Sequence, residues 1–128
     1  MLLEASVDNT GYQFALAMMH LLQDPGRWDR IVADVALIPS SINEAIRLTP
    51  KVATINRIAK EDTEVAGELV KQGTWVSISV LSAHRDTVAL PDAATYDLDR
   101  QGSRPHLVFG GGMHLCLGML LSMVDRVA

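Results

Sequence analysis

The apolar positions fall first at helical and then at alternating spacing along the chain. Residues 11–23, GYQFALAMMHLLQ, are apolar on most faces, which predicts a buried helix. Asp24-Pro25-Gly26 ends it, because proline blocks continuation and glycine permits a reversal. Over 26–37, Trp28, Ile31, Val32 and Val35 recur at helical spacing and predict a second helix. Pro39 precedes a third, SSINEAIRL, with Ser40 or Ser41 as its cap. Glu44, three residues after Ser41, completes a capping-box pattern.

After Pro50 the period changes. Residues 51–59 (KVATINRIA) and 63–70 (TEVAGELV) are rich in β-branched side chains and predict strands, cut into short pieces by Gly67 and the Lys71-Gln72-Gly73 turn. WVSISV alternates as a half-buried strand should. Residues 84–106 read as an irregular polar loop, and an apolar helix is predicted from about Leu117. The expected class is α+β, mainly helical. The first element begins almost at Met1 and the last stops at Ala128 without a cap, so residues 1–128 read as one partial domain, cut at both ends.

Composition narrows the class. With 48% hydrophobic and 20% charged residues, the chain fits a globular protein and not a disordered one. A net charge of -4 offers no basic surface for nucleic acid. One cysteine excludes an intramolecular disulfide and needs no oxidising compartment. The apolar run Phe14–Leu22 is too short to cross a membrane, and no basic residues precede it as in a secretory leader. A cytoplasmic protein without a membrane partner is expected.

The chemistry concentrates in Phe109-Gly110-Gly111-Gly112-Met113-His114-Leu115-Cys116-Leu117-Gly118. Three glycines permit unusual dihedrals and close approach to a flat ligand. A cysteine at the start of a helix meets free N–H groups and the positive end of the helix dipole, which stabilise a thiolate. Taken singly, each feature has a plainer reading. A lone cysteine on an apolar helix is usually a small buried hydrophobe. A glycine run can cradle phosphate, but no Lys-Ser or Lys-Thr follows it. A glycine-rich oxyanion loop would suit a hydrolase, but the chain has no GxSxG elbow. His114 and Cys116 are too few for structural zinc.

Taken together, residues 109–118 resemble the signature loop of the cytochrome P-450 family, F-G-x-G-x-H-x-C-x-G, and match it at every fixed position. Glu44-Ala45-Ile46-Arg47 matches the family's E-x-x-R helix motif, and Arg100, in YDLDR, stands where the third member of that buried cluster is expected. Alone, a Glu–Arg pair at i, i+3 is usually a surface ion pair. The stretch HRDTVALPDAATYDLDR resembles the family's meander, with His84 at a position usually held by asparagine. His106 also matches a frequent family residue. Ala5-Ser6-Val7-Asp8-Asn9-Thr10 aligns with the oxygen-activation motif of the long distal helix. Asp8 fits the acidic position, Asn9 replaces the usual threonine and Ser6 a glycine.

The resemblance implies the C-terminal part of that fold: the end of the long distal helix, the E-x-x-R helix, a small β-sheet, the cysteine loop and the start of the proximal helix. It implies haem b (iron protoporphyrin IX) as cofactor, with Cys116 as the axial iron ligand. Phe109, Gly110 and Gly118 would shape the sulfur's surroundings, and Arg57 and His114 would pair with the propionates. Asp8 with Asn9 or Thr10 would manage protons, while Glu44, Arg47 and Arg100 would hold the scaffold. The implied reaction is monooxygenation of a small organic substrate by dioxygen, with electrons from a ferredoxin or flavoprotein donor. The alternatives are an inactive piece of such an enzyme and a glycine-loop hydrolase.

Overall fold

The computed structural model of the chain describes residues 2–100 and 107–119, with side chains from Ser6 onward. Helix α1 spans Leu2–Leu22, so the helix predicted over 11–23 starts much earlier. Nothing in LLEASVDNT blocks a helix, and only the apolar pattern begins at 11. Nor is α1 buried on most faces. Ala17 and Leu21 face the core, whereas Phe14 is 67% exposed, because α2 and α3 cover one side only.

Asp24 caps α2 (Pro25–Ala33), its carboxylate accepting from the Gly26 N–H at 3.0 Å, with Pro25 in the first turn where no N–H is needed. The helix predicted to reach 37 stops at Ala33. Asp34 turns extended (φ -141°, ψ 96°) and its carboxylate accepts from Ala36 N–H, starting a separate 3-10 turn, Val35–Leu37. Short polar side chains compete with the helix for backbone donors in this way.

Helix α3 runs Ile38–Leu48, and neither Ser40 nor Ser41 caps it: both lie inside, and the cap residue Leu37 makes no side-chain bond. The hydroxyls have distant partners instead. Ser40 Oγ donates to the Leu98 carbonyl at 2.6 Å. Ser41 Oγ meets Tyr96 Oη at 2.8 Å, and Tyr96 Oη donates to the Ser41 carbonyl at 2.7 Å. Glu44 is likewise no capping-box residue.

The core gathers Ala17 and Leu21 of α1, Ile31 of α2, Ala45 and Leu48 of α3, and Tyr96 and Leu98 of the meander. Each large apolar side chain removed from water contributes about 1.5–3 kcal/mol. Polar links fix α1 against the end of α3. Gln13 donates to the Thr49 carbonyl and accepts from Lys51 N–H, both at 3.2 Å. His20 Nε2 lies 2.7 Å from Thr49 Oγ1, its ring stacked on Tyr96.

The predicted small sheet is two antiparallel pairs. Strand β1 (Thr54–Ile58) pairs with β4 (Trp75–Ser79), Arg57 opposite Val76. Between them, β2 (Thr63–Val65) and β3 (Glu68–Val70) form a hairpin. Its turn residues Ala66 and Gly67 have φ of 52° and 86°, the two positive values that a tight turn between twisted strands favours. The strand predicted through Val80 ends at Ser79, whose hydroxyl accepts from Ser82 N–H and starts the short helix α4 (Val80–Ala83). Of the helix predicted from about Leu117, Leu117 and Gly118 form a turn and Met119 is helical; residues 120–128, and His106, lie outside the described residues.

Candidate functional site

Glu44 and Arg47 face inward from one side of α3, three residues apart, and both are nearly fully buried. Arg47 Nε and Nη2 donate to the two Glu44 oxygens at 2.7 and 2.8 Å, a bidentate pair. The remaining Arg47 donors reach the carbonyls of His84, Ala93 and Thr95. Arg100 Nε adds a third bond to Glu44 at 3.1 Å, and the Asp97 N–H a fourth at 3.0 Å. Arg100 also donates to the carbonyls of Pro91, Asp92 and Thr95. One carboxylate and two guanidiniums thereby organise residues 84–100, which have no strand or long helix to satisfy their carbonyls. Burial alone would raise the Glu44 pKa. The Arg47 hydrogen bond, the Asp97 N–H and the two nearby positive charges outweigh it and hold Glu44 below the usual value.

The meander then connects to the glycine loop. His84 is buried, and its Nε2 accepts the Leu107 N–H at 3.1 Å. Leu107–Phe109 forms a 3-10 turn, closed by Gly110 N–H to the Leu107 carbonyl at 2.9 Å. Gly112–His114 forms a second, and the Cys116 N–H returns to the Phe109 carbonyl at 2.8 Å, closing the loop on itself. Gly110 has φ of 73°, and a Cβ there would lie 2.7 Å from the His114 carbonyl oxygen. No other residue fits that position. Gly111 is different: a Cβ there would meet nothing within 4 Å. Gly118 lies in ordinary contact range of the thiol, its would-be Cβ 3.8 Å from Cys116 Sγ.

Cys116 is a free, exposed cysteine, with Met113 (96%) and Leu117 (90%) exposed beside it in the chain. Leu117 and Gly118 after it form a turn, and Met119 is helical. Phe109 is half-buried and His114 exposed. Arg57 is exposed on β1, where its Nη1 donates to the Asn56 carbonyl at 2.8 Å. Asp8, Asn9 and Thr10 lie within α1, all exposed. The structure therefore gathers Glu44, Arg47 and Arg100 in one buried cluster, and Phe109, Gly110, His114, Cys116 and Gly118 in one loop.

Sequence reasoning missed the His84–Leu107 bond and the carbonyls that Arg47 collects. The only signal was the unusual histidine in HRD, which says nothing of its partner. Among the described residues no three His, Cys, Asp or Glu side chains gather as a metal site, and no helix is long and apolar enough to cross a membrane.

Known proteins place this architecture. The profile of the family described as Cytochrome P-450 matches residues 11–126, beginning just after Thr10. Nocardicin C N-oxygenase of Nocardia uniformis subsp. tsuyamanensis is 40% identical over 123 residues, covering 94% of this chain and 31% of that protein. Luteothin monooxygenase of Streptomyces thioluteus is 36% identical over 124 residues, covering 96% and 30%. The solved structure of cytochrome P-450 CREJ superposes with a TM-score of 0.89 at 31% identity, over 95% of this chain and 31% of that one. The chain thus spans about 30% of the length of the curated relatives it matches. A hydrolase reading of the glycine loop has no support in these relationships. The chain belongs to the cytochrome P-450 family, oxidoreductases whose cofactor is haem b.

Proposed function

We propose that this chain supplies the cysteine-loop part of a haem-dependent monooxygenase, with Cys116 as the thiolate ligand to the iron. The observation that carries this reading is the closed loop around a free, exposed cysteine. Cys116 N–H is tied to the Phe109 carbonyl at 2.8 Å, and Gly110 sits where a side chain would strike the backbone. The donor set fits: one thiol, glycines that leave room for a flat ring, and exposed apolar Met113 and Leu117 to lie against it.

Haem bound there supplies the reductive activation of dioxygen. The chain's own residues hold and tune it. Backbone N–H groups near Cys116 tune the thiolate, and Phe109 shields it. Gly118 leaves room beside the ring. Arg57 and His114, both exposed, pair with the propionates. Asp8, with Asn9 or Thr10, handles protons on the distal side. Asn9 can donate and accept hydrogen bonds but cannot relay a proton as a hydroxyl does, so Thr10 or a substrate hydroxyl takes that part. A ferredoxin or flavoprotein supplies electrons, the substrate is a small organic molecule, and the lone cysteine is consistent with a cytoplasmic location.

A second reading, a chain that holds haem without turnover, is favoured by the large apolar side chains left in water, Val88 at 94% among them. Iron-edge X-ray absorption of the haem-loaded protein tests the ligand assignment. One sulfur scatterer is expected in the wild type and none in Cys116→Ala; nitrogen or oxygen alone in both would overturn it.

A further inference from the structure

The buried Glu44–Arg47 cluster and the cysteine loop come from different parts of the chain, and one residue touches both systems. The His84 carbonyl accepts from Arg47 Nη1 at 2.9 Å, while its Nε2 accepts the Leu107 N–H at 3.1 Å. Leu107 begins the turn whose last residue, Phe109, accepts the Cys116 N–H. The bonds thus run continuously from α3, through His84, to the backbone of Cys116. We infer that His84 is a positioning residue, an acceptor that latches the start of the cysteine loop to the buried ion cluster and so sets the backbone from which Cys116 reaches its iron. The inference rests on the ligand assignment proposed above.

The geometry is demanding. An imidazole nitrogen accepts a backbone N–H only when it carries no proton, so Nε2 must be bare and the ring neutral. The surroundings favour that form. The ring is buried, and among the described residues Arg47 from α3 and Arg85, next in its own segment, place positive charge near it. Burial is the larger cause, and the His84 pKa lies below the usual histidine value despite the hydrogen bond that Arg47 makes to its backbone. Protonation at Nε2 would turn the acceptor into a donor aimed at another donor. A glutamine carries an acceptor at similar reach and does not titrate; a leucine fills similar space with no acceptor.

The test compares wild type, His84→Gln and His84→Leu as haem-loaded protein, from pH 7.5 to 5. Two quantities are read: the fraction of the reduced carbon monoxide adduct with the red-shifted Soret band of thiolate ligation, and amide exchange at Leu107 in the haem-free chain. At pH 7.5 the Leu variant should exchange Leu107 about tenfold faster than wild type, as expected for one lost buried hydrogen bond, and should lose part of the thiolate band. The Gln variant should keep both. As pH falls, wild type should lose the band and the Leu107 protection together, while the Gln variant holds them. If the Leu variant does not fold, the wild-type and Gln pH profiles decide alone. Coincident profiles for wild type and His84→Gln would overturn the proposal. Absence of a thiolate band in wild type at pH 7.5 would instead count against the ligand assignment, and Leu107 exchange would still decide whether the latch exists.

Discussion

Arg47 grips both oxygens of Glu44, at 2.7 and 2.8 Å, with the two side chains only 6% and 5% exposed. This contact differs in kind from the surface pairs of the same chain, such as Lys71–Asp62, where both partners are more than half exposed. A surface pair is worth about 0–1 kcal/mol. A buried one adds little over a well-packed apolar pair, but breaking it strands a charge. Its role here is to order residues 84–100.

Removing one partner should therefore be severe. Arg47→Ala, which takes from buried Glu44 its bidentate partner and removes the Arg47 donors from the His84 and Ala93 carbonyls, should cost about 3–5 kcal/mol. Arg100→Ala should cost less, since Arg100 lies nearer solvent and Glu44 keeps Arg47. Denaturant unfolding of the two variants measures the order, and equal losses would contradict it.

How much of this was legible beforehand divides by range. Cys116, its glycines and the Glu44–Arg47 spacing are local patterns, and the Ala66-Gly67 turn follows from short-range preferences. Partners far along the chain were not legible. Ser40 and Ser41 read as a cap because a hydroxyl before an apolar run usually is one, yet their bonds go to Leu98 and Tyr96, more than fifty residues away. Asp34 carried no helix-stop signal stronger than its neighbours, because its cap depends on a local choice between two sets of bonds. The exposure of α1 depends on what packs against it, and periodicity reports only that a face is apolar.

Two glycines give a sharp contrast. Gly110→Ala meets both a positive φ and a backbone oxygen 2.7 Å away, so the loop must open. The backbone strain alone is about 1–3 kcal/mol, and haem retention should fall at least tenfold while far-UV circular dichroism is unchanged. Gly111→Ala meets neither obstacle and should retain haem. Haem transfer to apomyoglobin reads both; equal retention would show that the loop is not held as described.

The response to acid follows from three groups. His20 and His84 lie below the usual 6.5, chiefly because burial disfavours the charged ring, with nearby arginines adding repulsion. A base that binds its proton more weakly when folded gives stability that is full above about pH 6.5 and is lost as pH falls through the folded value. Glu44, held below its usual 4.5, gives stability that is present above that value and lost on further acidification. Melting temperature should thus drop in two stages, the first flattened by His20→Gln with His84→Gln. A rise between pH 7 and 5.5 would contradict the assignment.

Among the described residues Arg57 and His114 hold no buried side-chain partner, and both are exposed. Arg57→Ala and His114→Ala should leave unfolding free energy within about 0.5 kcal/mol while speeding haem loss several-fold. Unchanged haem dissociation in both would remove them from the propionate sites.

Ligation of the iron by Cys116 is read most simply from the difference spectrum of the reduced, haem-loaded protein with carbon monoxide, beside Cys116→Ala. A strongly red-shifted Soret band is expected in the wild type and should disappear in the variant, because a thiolate ligand would push electron density onto the iron. A wild-type band at the position of a histidine-ligated haem, unchanged on removing Cys116, would contradict it.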